Sequence, residues 1–214
     1  QIGHGGRAAH GNSSGNITVA TLGQNGNPGS IRFHGTSSDS AVNDNDQAFG
    51  YAQIGHGGRD ADGNFGVGAD IITVNSSADI EFFGGTRDAG TNGNQGREAY
   101  AQIGNGGYNS ISAKLGNIDV DAANNITFDG SPNGNDSGDR SYVQIGHGGY
   151  GSVGNVTGDI AVDAGGAISF DGGRQRSYAQ IGHGGGTDHR VTPDDRGSNT
   201  DPTNDRARNG LDHY

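Results

Sequence analysis

The sequence predicts an all-β protein folded as a parallel β-solenoid, and three features of the 214-residue chain support this. An eight-residue phrase, YAQIGHGG in its full form, recurs along the chain. Two shorter words with alternating apolar residues lie between its copies. Glycine occupies 44 positions and no stretch has apolar residues at helical spacing, which excludes a helical protein. Repetition in a strict register also argues against disorder, although only 29% of the residues are hydrophobic.

The phrase begins at residues 1, 51, 100, 142 and 178, and its first copy is the fragment QIGHGG. The words between the copies are Ile-x-Val and Ile-x-Phe. Apolar residues two positions apart are typical of a strand with one buried face, so one repeat comprises three short strands. The predicted core is Ile2, Ile54, Ile103, Ile145 and Ile181 from the phrase, Ile17, Val19, Ile72, Val74, Ile118, Val120, Ile160 and Val162 from the first word, and Ile31, Phe33, Ile80, Phe82, Ile126, Phe128, Ile168 and Phe170 from the second.

The strands keep their length while the connections between them vary. The spacing between equivalent glutamines falls from 52 residues to 36 along the chain, mostly in the connection that follows the Ile-x-Phe word. Variable corners around a constant core are typical of a solenoid, in which like strands of successive repeats pair in parallel. We expect about four to five coils within residues 1–185. A β-propeller is the alternative, but its blades carry four antiparallel strands at nearly constant spacing.

Stacking in register places equivalent side chains above one another. The tyrosine and glutamine of the phrase alternate with its core residues, so we expect them to face outward, with each glutamine hydrogen-bonding the next coil. The expected columns are Gln1, Gln53, Gln102, Gln144 and Gln180; Tyr51, Tyr100, Tyr142 and Tyr178; and His4, His56, Asn105, His147 and His183. A histidine column could bind a metal or transfer protons. Because Asn105 cannot transfer a proton, the sequence favours a hydrogen-bonding role at the corner.

Acidic turns are the candidate cation sites. Asp60, Asp62 and Asn64 place oxygen ligands at alternate positions, as at the start of a calcium loop, although the glutamate that closes an EF-hand is absent. Similar acidic stretches occupy residues 44–46, 133–139 and 194–205. Because Asp, Asn and Gly are ordinary turn formers, a solvated turn is the leading interpretation and calcium the alternative. No other cofactor is expected.

The sequence offers no candidate catalytic residues, and we predict a protein that is not an enzyme. Aspartates are spread over the turns, and the chain has only two glutamates, Glu81 and Glu98. A polysaccharide lyase or hydrolase is the alternative, because some enzymes of these classes are β-helices with acidic clusters. The Asn-x-Ser/Thr sequons are possible glycosylation sites, although asparagine before a strand is also typical of a turn. They lie at Asn12, Asn16, Asn75, Asn125, Asn135 and Asn155.

The composition of the chain limits the cellular compartment and the classes of partner that we expect. The chain has no Cys, which removes disulfides and thiolate metal sites and suits a protein that is exported unfolded. Its net charge of −11 and its scattered arginines disfavour binding to nucleic acid. No apolar run approaches the length needed to span a membrane.

The combination of YAQIGHGG, GNITV at 15–19 and AISFDGG at 167–173 resembles the β-strand repeats of very large secreted bacterial proteins, the filamentous-haemagglutinin-like and autotransporter-type adhesins. The resemblance covers residues 1–185. It implies a right-handed β-solenoid, a location at the cell surface or beyond, and a role as fibre, stalk or adhesin, with a glycan or a cell-surface receptor as partner. It carries over no catalytic residue. Residues 186–214 depart from the pattern, because they are polar and lack both apolar words.

Two functions follow as expectations. The first is an extracellular structural or adhesive fibre segment with no chemistry of its own, and the second is a carbohydrate-binding or polysaccharide-cleaving β-helix. Neither end of the repeat array shows a recognisable cap, which the terminal coils of a solenoid normally need. We therefore expect the chain to associate with itself end to end or to form part of a longer stack, with residues 186–214 as an insertion or as an excursion leading to a further coil.

Overall fold

The computed structural model describes residues 1–35, 50–85, 98–130, 140–173 and 176–186. Within these ranges the chain forms β-strands and no helix, so the predicted all-β class is confirmed. The strands are β1 (Ile17–Thr21), β2 (Ile31–His34), β3 (Ala52–Ile54), β4 (Ile71–Ser76), β5 (Ile80–Phe83), β6 (Ala101–Ile103), β7 (Lys114–Leu115), β8 (Asn117–Ala122), β9 (Ile126–Asp129), β10 (Tyr142–Ile145), β11 (Val156–Thr157), β12 (Ile160–Ala164), β13 (Ile168–Asp171) and β14 (Tyr178–Ile181). Of the predicted polar segment, all but Gly186 lies outside the described residues.

Each of the three repeated words forms one four-stranded sheet. The phrase forms the sheet β14-β10-β6-β3, the Ile-x-Val word forms β1-β4-β8-β12, and the Ile-x-Phe word forms β13-β9-β5-β2. The pairing within these sheets is parallel and in register, so that Gln102 lies between Gln53 and Gln144. Stacked parallel sheets are consistent with the predicted parallel β-solenoid. The antiparallel pairing that a propeller blade requires does not occur between these named strands.

The apolar faces of the three sheets meet in one hydrophobic core. Ile54, Ile103 and Ile145 form a buried column from the phrase, and the phenylalanines of the Ile-x-Phe word stack ring on ring. The ring centroids of Phe82 and Phe128 are 4.8 Å apart, and their planes differ by 2°. This distance matches the separation of neighbouring strands in a sheet, so in-register pairing places each ring against the next. The internal repeats bury their core residues almost completely because each has a neighbour on both sides.

The ends of the stack correct the predicted core list. Ile2 is 50% exposed at one end, and Ile168 and Phe170 are 38% and 51% exposed at the other. Ile168 and Phe170 lie on β13, an edge strand of its sheet, so a core position there has a neighbouring strand on one side only. The two ends are not alike, since Phe33 in the first strand of the same sheet is buried.

A second cluster lies on the opposite face of the phrase sheet, and it corrects the expectation that this face is outward. Tyr100, Tyr142 and Gln102 are fully buried, and Tyr108 and Tyr150 pack against them. The backbone that follows each phrase covers this face. A Cβ added at Gly107 would collide with the hydroxyl of Tyr100, so the last glycine of the phrase is required by the close approach of the tyrosine at its start.

Candidate functional site

The candidate functional site is the polar ladder that the phrase builds between repeats. The Nε2 of Gln102 donates to the carbonyl oxygens of Gly146 and Gly148, each at 2.9 Å, and its Oε1 accepts a hydrogen bond from the hydroxyl of Tyr142 at 3.1 Å. All three partners belong to the following repeat. The glutamine therefore bonds the next coil, as its column predicts, but the acceptors are backbone carbonyls rather than the next glutamine.

The ladder has a direction, because each glutamine bonds the repeat that follows it in the chain. Gln144 donates to the carbonyls of Gly182 and Gly184 at 2.9 and 2.8 Å, and Gln1 makes the same contact with Gly55 and Gly57. Gln180 is different: its Nε2 lies 3.3 Å from the carbonyl oxygen of His183 in its own repeat. Every repeat thus presents glutamine donors on one side and glycine carbonyls on the other.

The glycines are required because the backbones of successive repeats come very close at this corner. Gly104 has a φ of +148°, and a Cβ there would overlap the carbonyl group of Gly146. A side chain at this position would push the repeats apart and stretch the glutamine hydrogen bonds. The glycines of the sequence G-x-G-G are therefore needed for the hydrogen bonds of the ladder as well as for the turn.

The histidine column joins the backbone of successive repeats. The Nδ1 of His147 accepts from the backbone N–H of Asn105 at 2.9 Å, and its Nε2 lies 2.8 Å from the carbonyl oxygen of Gly116. A nitrogen that accepts from an N–H carries no proton, so the ring is the neutral tautomer with Nε2 donating to Gly116. His56 and His183 have the same pair of contacts, which leaves neither ring nitrogen of these three residues for a metal.

Asn105 replaces histidine without loss of a contact. Its Oδ1 accepts from the backbone N–H of His56 at 2.8 Å, and its Nδ2 donates to the carbonyl oxygen of Leu115 at 2.9 Å. The amide thus copies both the acceptor Nδ1 and the donor Nε2 of the imidazole. This equivalence supports the hydrogen-bonding interpretation of the column.

Burial lowers the pKa of His147 from the ordinary 6.5 to about 4. The hydrogen bond to the Gly116 carbonyl opposes this shift, whereas a charge on nearby His183 or Lys114 adds to it. The ring of His183 stacks on that of His147 with the centroids 4.9 Å apart. His147 therefore stays neutral at a pH where a histidine in the unfolded chain is charged.

We expect acid to destabilise the protein through His147. Its pKa is lower in the folded state than in the unfolded state, so the unfolded chain binds more protons between pH 6.5 and 4. The stability present above pH 6.5 is lost as the pH falls toward 4, by about 3 kcal/mol in total. Urea unfolding at several pH values would measure this loss. In the variant His147→Asn, which copies Asn105, stability should fall less over the same range, and an equal fall would contradict the assignment.

Lys114, the single lysine of the chain, is a buried residue that sequence reasoning did not single out. Its Nζ donates to the carbonyl oxygens of Ser110, Ser112 and Val153 at 3.1, 2.8 and 2.6 Å. Burial lowers its pKa to about 8, and three acceptors match the three N–H groups of a protonated amine. Lys114 thus joins its own loop to that of the following repeat. The only feature of the sequence that draws attention to Lys114 is that the chain contains no other lysine.

A buried ion network lies beside the tyrosine cluster. The carboxylate of Glu98 accepts from Arg59 at 2.6 Å, from the Tyr108 hydroxyl at 2.7 Å and from Arg140 at 3.4 Å. The guanidinium of Arg59 lies over the Tyr108 ring, 5.3 Å from its centroid. Glu98 therefore links side chains from three phrase regions, and this was not predicted because the two arginines lie 39 and 42 residues away from it in the sequence.

The calcium candidates make separate contacts. Asp60 accepts from Arg59 at 2.6 Å, Asp62 accepts from the Ser112 hydroxyl at 3.3 Å, and Asn64 accepts from the backbone N–H of Ala113 at 3.3 Å. Among the residues that the structure describes, no group of three or more His, Asp or Glu side chains is placed to hold a metal ion. The acidic stretches at 44–46, 133–139 and 194–205 lie outside the described residues.

Three of the sequon asparagines take part in corner hydrogen bonds between repeats. Asn12 accepts from the backbone N–H of Asn64, and Asn16 accepts from that of Ile71, each at 3.0 Å. Asn125 accepts from Ala167 N–H at 2.9 Å and donates to Asp79 at 3.1 Å. Asn75 and Asn155 are exposed, and Asn135 lies outside the described residues. For Asn16 and Asn125, the available signal in the sequence was their position directly before a strand word.

The site therefore connects repeats through buried side chains whose donors and acceptors are used within the stack. Over the described ranges, no helix is long and apolar enough to cross a membrane. Comparison of the chain with protein-family models, with curated proteins and with solved structures finds no match in any of the three.

Proposed function

We propose that this chain is a structural or adhesive segment of an extracellular fibre, built as a right-handed β-solenoid and performing no chemistry of its own. The observation that carries the proposal is the continuous glutamine ladder, in which Gln1, Gln53, Gln102 and Gln144 each bond the repeat that follows. The resemblance to secreted bacterial adhesins supports the extracellular location. A glycan or a surface receptor is the corresponding partner for an adhesive role.

The physical basis is that solenoid stability comes largely from the interfaces between neighbouring repeats. At each internal interface here, backbone pairing is supplemented by two glutamine hydrogen bonds, by a tyrosine hydroxyl and by a stacked phenylalanine pair. Because the interfaces are nearly identical, a force that pulls along the stack is distributed evenly over them. The polar loops and the net charge of −11 keep the sides of such a rod solvated.

The test is electron microscopy of native material labelled with an antibody raised against this chain. We expect labelled filaments or rods at or outside the cell surface. Incubation of the purified chain with a panel of acidic and neutral polysaccharides should release no new sugar ends. Label confined to the cell interior, or catalytic release of sugar ends, would overturn the proposal, and the second result would favour the β-helix enzyme.

A further inference from the structure

A short exposed hairpin lies between β1 and β2, and we propose that its turn residue Asn25 is a site of spontaneous deamidation, which converts the side-chain amide to a carboxylate and releases ammonia. The structure describes a second Asn-Gly pair, Asn105-Gly106, and this pair stays unmodified in the folded protein. The inference goes beyond the proposed fibre function and does not depend on it. It follows from the different exposure and hydrogen bonding of the two pairs.

The hairpin is an insertion in one repeat. The step from the valine of the Ile-x-Val word to the isoleucine of the next word is 12 residues in the first repeat and 6 in the other three. Within the longer connection, Gln24 and Asn27 bond each other through both backbone groups, with each N–H donor 2.9 Å from its acceptor oxygen. Asn25 and Gly26 lie between them with φ values of +53° and +78°, as in a type I′ turn.

The two residues of this turn are open to solvent. Every residue from Leu22 to Pro28 is exposed, and a Cβ built on Gly26 would meet no atom within 4 Å. No residue that the structure describes forms a hydrogen bond with the side-chain amide of Asn25 or with the N–H of Gly26. Water and base therefore reach both groups that react in deamidation.

The reaction uses the backbone nitrogen of the residue after the asparagine. The nitrogen of Gly26 gives its proton to base and attacks Cγ of Asn25; the N–Cγ bond forms, the Cγ–Nδ2 bond breaks, and Nδ2 takes up a proton and leaves as ammonia. Water then opens the five-membered succinimide at either carbonyl, which yields aspartate or isoaspartate. Glycine has no side chain to hinder the attack. The turn opens readily for this step, because a two-stranded hairpin by itself is only marginally stable.

The pair Asn105-Gly106 has the same sequence but lies inside the polar ladder. Asn105 is 1% exposed, its Oδ1 accepts from the N–H of His56, and its Nδ2 donates to the carbonyl oxygen of Leu115. The N–H of Gly106, which would supply the attacking nitrogen, donates to the carbonyl oxygen of His56 at 2.8 Å. Attack at Asn105 would break these three hydrogen bonds in a buried corner, so the stack has to open there before the reaction can begin.

Deamidation at Asn25 changes the hairpin and leaves the core intact. Isoaspartate adds a methylene group to the backbone and so disrupts the turn. The base of the hairpin is held at Gly29, whose N–H donates to the Ser77 hydroxyl at 2.8 Å and whose carbonyl oxygen accepts from the Thr21 hydroxyl at 2.6 Å. These contacts lie outside the turn, so β1 and β2 stay in their sheets.

The test is peptide mapping of the full chain by mass spectrometry after prolonged incubation at mildly alkaline pH, in buffer and in guanidinium chloride. Trypsin places Asn25 in the peptide 8–32 and Asn105 in 98–114, apart from the Asn-Gly pairs outside the described residues at 92–93, 133–134 and 209–210. In the folded chain, residue 25 should gain about 1 Da while residue 105 remains unchanged. In denaturant, where the fold protects neither pair, both should convert at similar rates.

The matched variant is Asn25→Gly, because glycine accepts the positive φ of the turn but has no side-chain amide. Its peptide 8–32 should show no mass gain at residue 25, and its circular dichroism and thermal unfolding should match those of the unmodified chain. An Asn25 that converts only in denaturant, or equal conversion of Asn25 and Asn105 in the folded chain, would overturn the inference.

Discussion

Replacing Ile103 with aspartate should lower the free energy of unfolding by more than about 4 kcal/mol, which is enough to unfold many single domains. Ile103 is fully buried between Ile54 and Ile145 in the column of the phrase sheet. The substitution removes apolar contacts on both sides and places a carboxylate among the apolar side chains of the core. Because neighbouring coils share this column, the damage extends to the repeats on either side.

The matched control is Ile111→Asp, the same chemical change on a residue that is 47% exposed in the same repeat. We expect it to cost less than about 1 kcal/mol, since the carboxylate remains in water. Urea unfolding followed by circular dichroism would measure both variants. Equal losses at the two positions would show that the Ile103 column does not form the core of the stack.

The second large effect is expected for Gln102→Ala, at about 3 kcal/mol or more. The change removes the donor to the carbonyls of Gly146 and Gly148 and the acceptor for the Tyr142 hydroxyl. These three groups then remain buried without that partner, and each such loss costs roughly 1 to 3 kcal/mol. A cavity at a fully buried position adds to the cost.

Gln180→Ala is the control for this variant, because Gln180 occupies the same column but makes its hydrogen bond within its own repeat. Measured on the monomer at low concentration, it should cost under about 1 kcal/mol. Chemical denaturation of both variants gives the comparison. If both glutamines proved equally dispensable, the inter-repeat hydrogen bonds would contribute little and stacking would rest on the apolar core alone.

Local patterns in the sequence determined the strands and their pairing. Apolar residues two apart located the three strand words, and repetition in a constant order indicated that like words pair in register, as Ile72 pairs with Ile118. These features are local or periodic, and for that reason they can be read without knowing the fold. The column of His56, Asn105 and His147 was visible for the same reason.

Only the tertiary structure decided which faces are buried and what the columns bond to. Alternation along a strand assumes one buried face and one exposed face, but the phrase sheet is covered on both, so Gln102 and Tyr100 lie inside. The cover is backbone after the phrase, brought onto the tyrosine face by the glycine corner. Lys114 and Glu98 were missed because each also bonds residues far away in the sequence, Lys114 to Val153 and Glu98 to Arg59 and Arg140. Burial and long-range hydrogen bonding depend on how coils stack in space, and a strand pattern contains no information about the layer that packs above it.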